Sequence, residues 1–354
     1  LTTHGYESVL QVARSFCPGG LGGWVSFVKG PLLAPLELTY GVKERTDASG
    51  EISVELDEGH LREQLSSLKA KGEVEALTIS FVNSYINNSN EVAAAKIAAE
   101  IFTDIPISIS SEVIPEMQEY ERAETTVLNS YVRPQVSNYV NNLQANLEKS
   151  LGGDVQLSIL RSDGGLASSR ATGDSPVNHL MSGPAGGVAG AIHFCNQAGY
   201  DNILTFDMGG TSCDCAICID GEVNLTTDFE VEWGLPVQIP MVDVRTIGAG
   251  GGSIAWVDPQ GVLKVGPESA GSTPGPACYG LGGERATITD AFVVTGFLGA
   301  SALGYSAVQL DVDKARSAID VIARQIGLSC EDTAEAIIRV AISGMYLEVS
   351  KLVS

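Results

Sequence analysis

Long apolar runs are missing from this chain. No stretch approaches the roughly 20 consecutive apolar residues that a bilayer-spanning helix needs, so none is expected. Positive charge is scarce: 21 Lys and Arg stand against 43 Asp and Glu, and the formal charge of −22 repels nucleic acid and anionic membrane surfaces. The first residues carry no basic segment followed by an apolar core, which makes the cytoplasm the expected location. Histidine is rare, and His4, His60, His179 and His193 form no H-x-x-H or H-E-x-x-H pair. Of these, His179 stands nearest a glycine-rich turn, where a structural role outweighs a cleft role. Seven unevenly placed cysteines, an odd number, argue against a disulfide framework and for reduced thiols. Cys213, Cys215 and Cys218 lack the second cysteine pair or nearby histidine of a zinc site. On a strand the first two share one face and the third takes the other, which favours core packing over a shared metal.

What is present describes a globular α/β protein. The 354 residues, 44% apolar and 18% charged, suffice for two or three packed domains. Residues 7–14 read as a helix, 31–40 as a strand region, and 41–50 as a strand running into a turn. Asp57 suits a helix cap, Leu61, Leu65 and Leu68 recur at helical spacing, and Gly72 suits the helix end. Residues 76–82 predict a buried strand, 90–102 an alanine-rich helix and 105–110 the next strand, a β-α-β-α rhythm. A long helical pattern over 119–151 meets an interruption at Pro134, and residues 119–122 by themselves read as a charged, solvated start for it. Residues 156–160 predict a strand, 163–165 a turn, and 183–197 a helix entered through glycines. The final residues, 345–354, stop within a helical pattern.

The most informative run is 206–214, FDMGGTSCD, flanked by the apolar stretches Ile203–Thr205 and Ala216–Ile219. An apolar strand delivers Asp207, Gly209 and Gly210 permit positive φ and close approach of the backbone, and the Thr211 and Ser212 hydroxyls follow before the chain re-enters a strand. Such a hairpin suits a phosphate, with Asp207 holding Mg²⁺ through its water shell. An ordinary hairpin with Asp and Gly in its turn is the competing reading. Glycine density then rises in two loops, 246–253 and 266–279. Gly250, Gly251 and Gly252 in the first suit either a ligand-lining backbone or a tight turn. Asp243 and Asp290 flank these loops, and each suits a metal-water holder, a general base or a cap.

In their order and spacing, 206–212 (FDMGGTS), 247–254 (IGAGGGSI), 265–271 (VGPESAG), 274–279 (PGPACY) and 289–291 (TDA) closely resemble the hydantoinase A and 5-oxoprolinase family. Upstream, 5–10 (GYESVL), Val42-x-Glu44-Arg45-x-Asp47, 112–116 (EVIPE) with 119–122 (EYER), and 182–187 (SGPAGG) carry the same resemblance, which makes a contact of 119–122 with substrate or a second domain as much expected as a solvated cap. Arg161, beside the 163–165 turn, departs from the uncharged residue expected there.

The resemblance implies actin and sugar-kinase-like (ribonuclease H-like) lobes, mixed sheets flanked by helices, closing on ATP with Mg²⁺ or Mn²⁺. It divides the chain into 1–110, the C-terminal part of an N-terminal domain, and 111–354, a hydantoinase A domain. It also implies that this is an internal segment of a longer subunit, without a first Asp-Gly-Gly-Thr hairpin and a later adenosine-side segment, so the segment alone should bind ATP poorly. The implied chemistry is ATP-dependent opening of a cyclic amide or imide (a hydantoin, 5-oxoproline or a lactam) by phosphorylation of its carbonyl oxygen. Ketone carboxylation with bicarbonate and a catalytically silent nucleotide-binding module are the alternatives. Implied site residues are Asp207, Asp243 and Asp290 for catalysis, Asp207 for metal, and Gly209, Gly210, Thr211, Ser212, Gly250, Gly251 and Gly252 for nucleotide. The implied partner is a hydantoinase B-like subunit or domain.

Overall fold

The structure is a computed structural model that describes residues 1–14, 17, 22–23, 25, 27–299 and 309–353. Its contacts separate two units, Leu1–Ala185 with Leu225–Val242, and Gly186–Asn224 with Asp243–Ser354.

Unit 1 is organised by short parallel strands, β1 (Thr2–Thr3), β2 (Gly41–Val42), β3 (Leu77–Ile79) and β4 (Ile107–Ile109). β1 pairs with β2, Thr2 bridges to Ser80 just past β3, and β3 pairs with β4, all in parallel. Parallel strands need cover for their apolar side chains. Helices α1 (Glu58–Lys71) and α2 (Ser89–Ile101) supply it, placing Leu61, Leu65, Leu68, Ala94, Ile97 and Ala98 against Val42, Ile79 and Ile109. The predicted caps of α1 form: the Asp57 carboxylate accepts from the His60 N–H at 3.0 Å, and Gly72 ends the helix at φ +71°.

Three details depart from expectation. Residues 31–40 form no strand, and only a 3₁₀ turn at Leu36–Leu38 appears, because Pro31 and Pro35 lack the N–H groups that a ladder requires. The first helix shrinks to Val9–Val12. Helix α3 (Glu119–Leu151) runs straight through Pro134, since Val127 and Leu128 before it and Val140 after it are buried and their packing outweighs one missing hydrogen bond. At the start of α3, where solvation and contact were equally expected, Arg122 is not solvated. Arg122 is wholly buried, donating to the carbonyls of Glu116 (2.8 Å) and Phe81 (2.9 Å) and to Ser110 Oγ (3.2 Å), and pairing with Glu119. A buried guanidinium is tolerated because its donors are used.

Unit 2 begins within helix α4 (Ser182–Gln197) and centres on an antiparallel sheet of β5 (Ile203–Met208), β6 (Cys213–Ile219), β7 (Glu222–Val223) and β8 (Arg245–Ile247). β6 is the middle strand, with β5 along one edge and β7 and β8 along the other. A hairpin of β9 (Ser253–Val257) and β10 (Leu263–Ser269) follows, then helices α5 (Ile288–Val294), α6 (Val312–Ile326) and α7 (Cys330–Val353); Ser354 lies outside the described residues. On α6, Ala315, Ala318, Ile319 and Ile322 recur at helical spacing and pack with Ile288, Ala291 and Ile337 in the unit's main core. Cys213, Cys215 and Cys218 are buried in β6, with the first two sulfurs 3.9 Å apart. Burial pushes the Cys213 thiol up to about 12, so it behaves as a small apolar group. No helix of the described residues is long and apolar enough to cross a membrane.

Candidate functional site

The 206–214 run folds as an antiparallel hairpin. Met208 faces Cys213 across the two strands, which leaves Gly209–Ser212 as the turn, closed by the Gly209 N–H donating to the Ser212 carbonyl at 2.8 Å. Neither glycine adopts a positive φ, contrary to expectation. A side chain on Gly210 would meet open space and one on Gly209 only an ordinary contact, so their service is a bare backbone face.

The glycine loop is bound to this turn. Gly250, Gly251 and Gly252 donate their N–H groups to the carbonyls of Thr211 (3.2 Å), Gly209 (2.9 Å) and Gly210 (2.6 Å). A Cβ on Gly250 would stand 2.5 Å from the Thr211 carbonyl carbon, and one on Gly252 would stand 2.8 Å from the Gly210 oxygen. Only glycine permits that approach. The start of α5 holds the loop in turn, because the Thr289 N–H and hydroxyl both donate to the Gly251 carbonyl at 2.8 Å. The outcome is polarised. Three turn carbonyls are satisfied from within, while the N–H groups of Gly210, Thr211 and Ser212 and the hydroxyls of Thr211 and Ser212 have no partner among the described residues. Five unsatisfied donors around one short turn match an anion with several oxygens.

Asp207 and Asp214 are direct cross-strand partners, and Asp214 in turn faces Thr246 of β8. Direct partners project to the same face. The three therefore form a polar row across β5, β6 and β8, in which the Thr246 hydroxyl donates to the Asp214 carboxylate at 2.6 Å. Helix α4 passes beside it at Gly187, where a Cβ would stand 3.0 Å from Asp207 Oδ2. Asp214 is absent from the sequence-based site. Its signal was the hairpin register, which a four-residue turn sets and which no single motif residue reveals.

The flanking carboxylates stand elsewhere. Asp243 is half-buried and ion-paired to Arg245 at 3.5 Å, with no hydrogen bond to Asp207 or to the glycine loop. Asp290 is completely buried and accepts from the N–H groups of Ala277 (3.3 Å), Cys278 (2.8 Å) and Thr287 (2.9 Å) and from the Thr287 hydroxyl (2.8 Å). Thr287 caps α5 and Asp290 completes its capping box. With three donors on Oδ2 and one on Oδ1, the buried Asp290 ties the 277–279 turn to α5, which is the cap among its expected roles. His179 donates its Nδ1–H to the Leu160 carbonyl, 2.7 Å away, in unit 1. Arg161 pairs with Asp163 at 2.9 Å.

These residues fit a magnesium nucleotide. The five free donors suit phosphate oxygens, and the carboxylates of Asp207 and Asp214 suit a hydrated Mg²⁺. No cluster of three or more His, Cys, Asp or Glu positioned for a metal occurs among the described residues. Mg²⁺ needs none, because it keeps water and takes ligands from bound phosphates.

Comparison with known proteins agrees with the motif pattern. Residues 1–102 match the hydantoinase/oxoprolinase N-terminal region and residues 122–354 match the hydantoinase/oxoprolinase model. The caprolactamase subunit alpha of Pseudomonas jessenii is 34% identical over 339 residues, 96% of this chain and 48% of that protein. The acetophenone carboxylase gamma subunit of Aromatoleum aromaticum is 32% identical over 357 residues, 95% of this chain and 47% of that protein. The crystal structure of the ATP-dependent caprolactamase from Pseudomonas jessenii superposes with a TM-score of 0.82 at 33% identity, covering 99% of this chain and 50% of that one. The chain thus spans about half the length of these relatives, and its matches to both family regions make it a member of the hydantoinase/oxoprolinase family.

Proposed function

We propose that this chain forms part of an ATP-dependent hydrolase that opens a cyclic amide, with the Gly209–Ser212 turn holding nucleotide phosphate. The observation that carries this reading is the turn's five unpartnered donors beside the Asp207 and Asp214 carboxylates. The caprolactamase relative supports the substrate class, and its ATP dependence supports the nucleotide.

An amide resists water because resonance lowers the electrophilicity of its carbonyl carbon. ATP, when bound, supplies the phosphoryl group that converts the carbonyl oxygen into a leaving group. The work of the protein is placement and charge neutralisation. Gly210, Thr211 and Ser212 offer N–H and hydroxyl donors to phosphate oxygens. Asp207 would hold the hydrated metal ion, and Asp214, fixed by Thr246, would support it from the adjacent strand. Gly250, Gly251 and Gly252 brace the turn, because their N–H groups are already committed to its carbonyls. Asp243, which pairs with Arg245 and not with the turn, is kept only as a candidate orienting carboxylate. In this reading the two units correspond to the lobes of an actin-type nucleotide-binding fold, and a hydantoinase B-like subunit completes the active assembly in the cytoplasm.

A second reading, a ketone carboxylase subunit, is favoured by the acetophenone carboxylase relative. ADP release by the intact parent protein with its co-purified partner separates them, assayed against 5-oxoproline, hydantoins, lactams, and ketones with and without bicarbonate. A response to cyclic amides that ignores bicarbonate is expected. Dependence on both ketone and bicarbonate would establish the carboxylase, and retained ATP binding without turnover would establish a silent module. In the active assembly Asp207→Ala should lower ADP release at least about 100-fold, and an unchanged rate would remove Asp207 from the site.

A further inference from the structure

Unit 1 contains a cavity of about 170 Å³ whose wall includes Leu10, Phe27, Tyr120, Glu124, Trp233 and Leu235. Glu124, on α3, is 3% exposed, and its carboxyl has no hydrogen-bond partner among the described residues. The charged donors at the wall are already committed. Arg14 donates to Glu121 at 2.7 Å and to Glu230 at 3.4 Å, and the Lys29 ammonium donates to the carbonyls of Gln11 (2.9 Å) and Val12 (2.6 Å). The Tyr120 hydroxyl donates to the Gly234 carbonyl at 2.5 Å. Unmet demand is therefore negative: Glu124 in the interior and Glu232 at the exposed rim both lack a partner among the described residues.

A buried carboxyl without a donor is costly, and it is retained where a ligand completes it. The apolar walls add a second requirement. The cavity has room for a body of about benzene size, and Leu10, Phe27, Trp233 and Leu235 give it apolar wall to lie against. We propose that this cavity is a binding site for a small primary ammonium compound, its head on Glu124 and its apolar body against Leu10, Phe27 and Trp233. Burial raises the Glu124 carboxyl to about 7, against a surrounding set of Arg14, Lys29, Tyr120, Glu121, Glu230 and Glu232. The ammonium needs the ionised form, so its binding tightens as pH rises through that value. The nucleotide turn plays no part in this argument, and the two fail or stand separately.

The test is calorimetric titration of the intact protein with n-butylammonium at pH 6 and pH 8, with n-butanol as the neutral probe. The expected result is binding about tenfold tighter at pH 8, no pH dependence for butanol, and loss of both the pH dependence and at least about tenfold of the affinity in Glu124→Gln. Equal binding of alcohol and amine, no amine binding at pH 8, or unchanged binding by a folded Glu124→Gln would overturn the site. Should that variant not fold, the wild-type profile decides alone, since a flat amine affinity between pH 6 and pH 8 is incompatible with Glu124 as the counter-ion.

Discussion

Two aspartates offered by the sequence for the same chemistry hold opposite positions in unit 2. Asp207 ends a strand with its carboxylate exposed, whereas Asp290 is sealed among four donors. Asp290→Ala strips buried N–H groups of their acceptor, and each such loss costs about 1–3 kcal/mol. Its urea midpoint should therefore fall by the equivalent of at least about 3 kcal/mol. Asp290→Asn, which keeps one carbonyl oxygen, should lose less. A variant of full stability but no ADP release would return Asp290 to catalysis. Gly250→Ala makes a different demand, placing a methyl 2.5 Å from backbone that cannot step aside. Overpacking of this kind costs about 1–3 kcal/mol, to be read in the same denaturation experiment.

At the scale of elements, the hairpin, the glycine loop and the capped helix α1 were legible because each is written in contiguous residues. Asp57 and Gly72 bracket an apolar stripe, and Asp207 precedes two glycines and two hydroxyls between apolar strands. What could not be read depends on partners far along the chain. Asp214 owes its place to strand register, Asp290 to the 277–279 turn, and Arg122 to the Phe81 and Glu116 carbonyls. The charge-rich start of α3 left solvation and contact equally open, because periodicity does not report burial by other elements. Glu124 is the clearest consequence. Its carboxyl moves from an ordinary 4.5 to about 7 through desolvation. A raised carboxyl stabilises the folded state fully below pH 4.5 and loses that contribution as pH rises through 7. In the absence of amine, Glu124→Gln should flatten the fall in stability between pH 5 and pH 8, by about 3 kcal/mol relative to wild type. Urea midpoints across that range check it, and parallel curves for the two proteins would contradict the burial argument.

For the whole molecule the dominant quantity is the net charge of −22. Like charges repel more strongly when the chain is compact than when it is expanded, and salt screens that repulsion. Raising NaCl from roughly 0.02 M to roughly 0.2 M should raise the thermal midpoint by a few degrees, because the Debye length then shrinks below typical spacings of surface charge. A falling midpoint would mean that attractive ion pairs such as Arg62–Glu100 and Arg316–Glu331 outweigh the general repulsion.

The braced turn also keeps time. Where the glycine loop gives its amide hydrogens to the turn, the turn gives none back, so one small patch of backbone holds a fast and a slow population side by side. Gly210, Thr211 and Ser212 should exchange with deuterium within seconds, while Gly250, Gly251 and Gly252 should wait for local opening of the unit. Occupancy of the turn by an anion would slow the first group and leave the second unchanged, making the difference between the two clocks a direct reading of whether the turn is filled.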